Sequence, residues 1–352
     1  MKKIFKHIFL GLTGIVLVLA GGRQALADTY VTNFEGFTLG EVNNQDGWTS
    51  GHGSSTCPLY DVAVVPNTSG FAAFGSKSLR ISNACTSGSF NDQTFSKSLA
   101  NEAGETSAAT STFSGGIRQP YFEAQWDFAS VQPGSEQVGL SVVASPDQGF
   151  GGRMSWVQMQ DTPTGLQLNF EEYQHSILNF VLTPMATGLD RTVPHTVRIT
   201  MQFIDGAEND IVKVYLDGAL IHTGTSWEDF FRDFQGGLPQ PVDSILFRVA
   251  GTAAPANLGK GFFIDNFSSF SGPVPVPVPA SSPATGPVPI PPLIDVVKIP
   301  SPQALPNGPG PVTYTYTVRN IGTVPMTTVT MVDDFCRPLT LQIGRASCRE
   351  RV

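Results

Sequence analysis

Two short stretches set carboxylates and amides at alternate positions. In 122–128, FEAQWDF, Glu123, Gln125 and Asp127 alternate with Phe122, Ala124, Trp126 and Phe128. In 166–171, LQLNFE, Gln167, Asn169 and Glu171 alternate with Leu166, Leu168 and Phe170. Side chains of a strand point alternately to its two faces, so each stretch reads as a strand with one apolar and one polar face. A sheet lined with carboxylates, amides and the guanidinium groups of Arg153 and Arg198 is what a glycan groove requires, because sugar hydroxyls take paired polar partners. If such a groove is catalytic, Glu123, Asp127 and Glu171 are the carboxylates that would act. If it only binds, Gln125, Arg153, Trp156, Gln167, Asn169 and Arg198 are the contacts. A solvated sheet face carrying cross-strand pairs is the competing reading. Trp48, Trp126, Trp156 and Trp227 are candidates to stack on sugar rings. Core packing is the expectation for them as a group, and Trp156, which follows a Gly-rich loop, is the best exception.

Other chemistries lack their signatures. The chain has no G-x-S-x-G, no H-E-x-x-H and no dinucleotide-binding glycine pattern. GFAAFGSKS at 70–78 reads G-S-K where a phosphate loop needs G-K-S. The four cysteines, Cys57, Cys85, Cys336 and Cys348, form no C-x-x-C or Cys/His cluster of the kind that holds zinc. In an exported chain Cys57 and Cys85 are expected to pair as a disulfide, with two buried free thiols as the alternative.

The elements that must position these residues read as strands. Thr196 to Trp227 alternates at Val197, Ile199, Met201 and Phe203, and again at Val212, Val214 and Leu216, with Asp- and Gly-rich breaks at 205–210 and 217–218. That is the pattern of an antiparallel meander. Further strands are expected at 29–34, 78–82, 121–129, 137–144, 153–159, 165–171, 244–249 and 261–267. Only Glu228 to Phe234 suits a short helical turn. The fold class is therefore all-β, a two-sheet sandwich large enough to bury a sizeable core.

Residues 1–27 read as an export signal: Lys2, Lys3 and Lys6, an apolar run from Ile8 to Ala20, and small residues at Ala25-Leu26-Ala27. The run is shorter than the roughly 20 residues of a membrane span, and no second candidate span follows. The formal net charge is −8, and it becomes −12 without the leader's four cations Lys2, Lys3, Lys6 and Arg23. An acidic mature chain argues against nucleic acid or an anionic membrane surface as partner. Residues 272–292, GPVPVPVPASSPATGPVPIPP, read as a polyproline II spacer, because alternate prolines remove ladder donors.

With these features in place, 28–271 resembles the concanavalin A-like (laminin G or glucanase type) jelly-roll class. The resemblance is carried by NFEGFTLGEVNNQDGW at 33–48, GSKSLRIS at 75–82, the VRITMQFIDG and VKVYLDGALIHTG strands of the meander, and GFFIDNF at 261–267. It implies a large two-sheet jelly-roll sandwich, in a class that holds lectins, glucanases and lyases alike. It also implies a structural calcium between first and last strands, with Glu35 and Asp265 at the matching positions and hard oxygen ligands suited to the ion. Retaining glucanases of the class carry E-x-D-x-x-E, whose alternate carboxylates attack and protonate. The nearest match here, Glu208-Asn209-Asp210-Ile211-Val212-Lys213, ends on Lys213 and falls in a turn, so it reads as a turn.

Residues 293–342 resemble the start of the bacterial conserved-repeat family of surface proteins (domain of unknown function eleven), through the lysine-bearing LIDVVKI, the YTYTV-x-N core and the DD-x-C end at 333–336. That resemblance implies an immunoglobulin-like β-sandwich used as a stalk. Such a domain needs about 100 residues, so the repeat is read as incomplete. The last segment, IGRASCRERV at 343–352, resembles the translation of a common sequencing adapter and is set aside from functional reasoning. The expectation is a secreted or cell-surface, non-catalytic module binding glycan or extracellular matrix. A polysaccharide hydrolase or lyase and a purely structural envelope protein remain open as alternatives.

Overall fold

The computed structural model describes residues 27–51, 57, 60–87, 92–109, 114–275, 294–301, 310–320, 340–342 and 345–351. The expected signal, most of the Pro-rich spacer and the DD-x-C end lie outside the described residues. The chain divides into two compact units, 1–276 and 277–352. In the second unit β16 (Ile294–Ser301), β17 (Pro311–Asn320), β18 (Thr340–Gln342) and β19 (Arg345–Arg351) form a four-stranded sheet in the order β16-β17-β19-β18. Its last strand, drawn from the segment set aside above, pairs antiparallel with β17.

The first unit is the expected jelly-roll sandwich. Its elements are β1 (Asp28–Thr32), β2 (Thr49–Ser50), β3 (Val62–Pro66), β4 (Lys77–Ile81), β5 (Gln93–Phe95), β6 (Tyr121–Ser130), β7 (Ser141–Asp147), β8 (Trp156–Thr162), β9 (Gly165–Gln174), β10 (Asn179–Leu189), β11 (His195–Gln202), β12 (Ile211–Leu216), β13 (Ala219–Gly224), α1 (Glu228–Phe234), β14 (Ser244–Val249) and β15 (Phe262–Gly272). An eight-stranded sheet runs β13-β12-β11-β6-β15-β4-β3, with β1 also paired to β15. A seven-stranded sheet runs β10-β9-β8-β7-β14-β5-β2.

The core lies between the two sheets. Phe122, Ala124, Trp126 and Phe128 of β6 and Val197, Ile199 and Met201 of β11 face Leu166, Leu168 and Phe170 of β9 and Ile245 and Phe247 of β14 within one buried cluster. Trp126 meets Phe247 edge to face at 5.8 Å, and Trp48 stacks on the same Phe247 at 6.3 Å. Trp48 and Trp126 are thus core and fully buried, Trp227 belongs to the same buried cluster at 6% exposure, and Trp156 is partly buried against it. Such pairs add about 0.5–1.5 kcal/mol beyond area burial.

Strand positions depart from expectation where polar runs blur the alternation. β7 begins at Ser141 and β8 at Trp156, each a few residues later than the sequence suggested. β10 lies outside the strands expected above, and Pro184 falls inside it. It is an edge strand, and its register shifts between Pro184 and Ala186, where a missing N–H costs little. Cys57 and Cys85 form a disulfide with Cα atoms 6.2 Å apart. Among the described residues no helix is long and apolar enough to cross a membrane.

Candidate functional site

The outer face of the seven-stranded sheet carries a cavity of about 490 Å³ lined by Gly151, Arg153, Trp156, Glu171, Phe180, Trp227, Phe230, Phe231 and Gln235. Glu171 and Trp156 sit opposite each other in the β8–β9 register, on the polar side of both strands. Arg153 is delivered by the loop after β7. There the Asp147 carboxylate accepts hydrogen bonds from the backbone N–H groups of Phe150 (3.0 Å) and Gly151 (2.9 Å). Gly151 adopts φ 88°, a conformation that disfavours any side chain, and the turn brings the Arg153 guanidinium over the Trp156 ring at 5.8 Å.

The opposite wall belongs to Trp227 and α1. Trp227 is held at two points, its backbone N–H donating to Met154 O (2.7 Å) and its Nε1 donating to Glu171 O (2.9 Å). Its ring lies 5.5 Å from Trp156 and 4.5 Å from Phe180, which in turn is 5.0 Å from Phe230. The result is an aromatic cleft with one guanidinium and one carboxylate in it. Burial and then the charge of Arg248 push Arg153 down to about 10, so it stays cationic at neutral pH, helped by Asp147, Asp92 and Glu171. Burial raises the Glu171 carboxyl above the ordinary range, and Arg153 opposes that rise.

The sequence-predicted residues divide between the two sheets. Arg153, Trp156 and Glu171 come together in the cavity. Gln167 and Asn169 lie further along β9 on the same face, joined in an amide ladder. Gln167 Nε2 donates to Asn169 Oδ1 (2.7 Å), and Asn169 Nδ2 donates to Gln158 Oε1 (2.9 Å) and Gln160 Oε1 (2.8 Å). Glu123, Gln125, Asp127 and Arg198 are elsewhere, on β6 and β11 of the eight-stranded sheet. The proposed catalytic trio of Glu123, Asp127 and Glu171 therefore does not assemble. The reason is geometric: the apolar faces of β6 and β9 meet in one core, so their polar faces point away from each other. Glu123 is used locally, accepting from Tyr121 Oη (2.6 Å) and pairing with Arg198 at 3.2 Å, while Arg198 stacks on Tyr215 at 3.8 Å. Asp127 accepts from Thr196 Oγ1 and from Asn266 Nδ2 (2.8 Å).

Glu35 and Asp265, the expected calcium ligands, are near enough to interact electrostatically, and Asp265 is pushed up to about 7 by burial, with Asp127 and Glu35 contributing. Every carboxylate oxygen of this pair accepts a hydrogen bond from the protein. Glu35 takes Ser76 N (2.6 Å), Lys77 N (2.9 Å) and Ser76 Oγ (2.6 Å), and Asp265 takes Ser78 Oγ (2.6 Å) and Asn266 N (2.7 Å). These bonds tie the loop after β1 to the start of β4, and β4 to β15. Sequence reasoning missed the aromatic wall of Phe180, Phe230 and Phe231. The one local signal for it was the apolar FF pair in Glu228-Asp229-Phe230-Phe231, preceded by Trp227.

No family model matches the chain, and no curated protein matches it. Among solved structures the chain is similar to β-agarase A in complex with oligoagarose, at 13% identity over 72% of this chain and 99% of that one, TM-score 0.35. It is likewise similar to an endo-β-1,3-glucanase from Pyrococcus furiosus, at 15% identity over 69% and 93%, TM-score 0.37. A third is a winged bean acidic lectin complexed with methyl-α-D-galactose, at 11% identity over 70% and 99%, TM-score 0.31. The fold assignment rests on the two sheets themselves, and likenesses this distant say nothing about activity.

Proposed function

We propose that the cavity on the seven-stranded sheet binds a glycan and that the protein is a secreted or cell-surface binding module rather than an enzyme. The observation that carries the reading is the juxtaposition of Trp156 and Trp227 with Arg153 and Glu171 in one cleft. Indole and phenyl rings cover the apolar faces of a sugar, while a guanidinium donates to its hydroxyls and a carboxylate accepts from them. A cleft of this size, mostly aromatic with a few placed polar groups, is the usual form of a small-ligand site. Glycoside hydrolysis ordinarily needs two carboxylates about 5–10 Å apart. Among the lining residues Glu171 is the single carboxylate, which favours binding over turnover. The Pro-rich spacer and the second unit suit display of such a module away from a surface.

The test is a glycan array together with pull-down on insoluble polysaccharides, using the wild type and Trp156→Ala. Retention that is lost in Trp156→Ala, without release of reducing ends or unsaturated uronates, is the expected result. A folded wild type that is blank in both formats overturns the reading, and turnover would return the protein to the hydrolase or lyase alternative.

A further inference from the structure

At the first turn of α1, three carboxylates converge inside the protein. Glu105, Asp210 and Glu228 bring ligand oxygens within 4.8 Å of one another. They are 2%, 5% and 0% exposed and come from three separate stretches: the segment before β6, the β11–β12 connection and the first turn of α1. Among the described residues one cation, Arg232, pairs with them. Arg232 Nη2 donates to Glu105 Oε1 (2.6 Å) and to Gly206 O (2.9 Å) and lies 3.8 Å from Glu228 Oε2, while Arg232 Nε is 3.9 Å from Asp229. Asp210 accepts from Ile204 N (2.9 Å) and Ser226 Oγ (2.6 Å), and Glu228 Oε1 accepts from Asn209 N (3.0 Å).

One guanidinium does not balance three buried carboxylates, and an uncompensated buried charge costs several kcal/mol. A separate observation points the same way. Glu228 Oε2 is buried, its side chain has no solvent exposure, and it accepts no hydrogen bond from a protein N–H or hydroxyl; its neighbours are Arg232 Nη2 at 3.8 Å and the Glu105 carboxyl. Buried acceptors are ordinarily satisfied, so an oxygen left beside a second carboxyl, with its one guanidinium beyond hydrogen-bond reach, marks a place for a further positive partner. The Glu35 and Asp265 pair, by contrast, has no such vacant oxygen.

We propose that Glu105, Asp210 and Glu228 bind a hard divalent cation, with Glu228 Oε2 as a ligand and Arg232 orienting Glu105. An all-oxygen donor set suits calcium, magnesium or manganese rather than zinc or copper. The ion would join the β11–β12 connection to the helix that carries Phe230 and Phe231, so it would also fix one wall of the glycan cavity. That last consequence rests on the glycan reading; the ion site does not.

The full chain, stripped with EDTA, is melted with and without calcium, magnesium or manganese chloride, and terbium luminescence is read through Trp227, the neighbour of Glu228. At about 100-fold excess over the dissociation constant, one of the ions raises Tm by roughly 5–10 °C. Glu228→Gln and Asp210→Asn lose that shift, and Glu35→Gln keeps it. Stripped protein that shows neither a shift nor sensitised emission overturns the proposal, even if the variants fail to fold. So does a shift that survives in Glu228→Gln and disappears in Glu35→Gln, since the ion then sits at the other pair. Loss of glycan retention after EDTA, with the ion shift present, supports the coupling to the cavity; an ion shift with unchanged retention removes the coupling and leaves the ion site standing.

Discussion

Replacing Glu171 by Gln separates a carboxylate that binds ligand from one that merely holds the sheet together. Gln keeps the length and one acceptor oxygen but removes the charge. The wall of the cavity does not depend on the Glu171 side chain, because Trp227 Nε1 donates to its backbone carbonyl. Stability should therefore change by no more than about 1 kcal/mol at neutral pH, as for a partly exposed ion pair. Affinity should change far more. A charge-assisted hydrogen bond is worth about 1.5–3 kcal/mol, which is a loss of roughly 10- to 150-fold in Kd. The pH dependence adds a second readout. Burial raises the Glu171 carboxyl above its ordinary value of 4.5. The ionised acceptor is therefore lost on acidification before 4.5 is reached, and wild-type affinity falls as pH drops through that range. Stability moves the opposite way. A carboxyl whose folded value is raised contributes stability that is complete below the unfolded value and is lost as pH rises through the folded one. Isothermal titration of the glycan identified on the array, run from pH 4.5 to 8 on wild type and Glu171→Gln beside melts at each pH, checks both. Equal affinities at pH 7, or a binding profile that falls on acidification in Glu171→Gln as well, would refute the assignment.

Glu123→Gln, on the opposite sheet, is expected to leave glycan retention unchanged and to cost at most about 1 kcal/mol, since it breaks a part-exposed pair with Arg198; a retention defect in pull-down would contradict the placement. The whole first unit should be more stable at mildly acidic pH than at alkaline pH. Burial raises Asp210, Asp243 and Asp265 from 3.8 to about 7 in each case. Their stabilising protonation is complete below 3.8 and lost as pH rises through 7, at on the order of 1 kcal/mol or more per group. Melts of stripped protein from pH 4.5 to 9 should fall in Tm across that window, and a Tm that rises steadily with pH would show that these groups ionise freely.

Much of the architecture was legible in the residues. Alternation in FEAQWDF and LQLNFE assigned both strands and both polar rows correctly, because side-chain parity is a local property of an extended chain. The meander from Thr196 and the short helix from Glu228 followed from the same reasoning. β10 escaped; Pro184 argues against a strand interior, and only a position at the sheet edge makes it harmless.

Which residues face each other is another matter. Parity says that Glu123 and Glu171 each lie on a polar face, but it does not say that the two faces belong to different sheets. That was decided by strand order, with β6 beside β11 and β15, and β9 beside β8 and β10. Asp210 shows the same limit. In the sequence it is a turn residue in Glu208-Asn209-Asp210. Folding brings Glu105 and Glu228 to it from distant parts of the chain, and buries all three. Local periodicity determined which side of each strand is wet; long-range pairing across the core and between loops decided which wet groups meet.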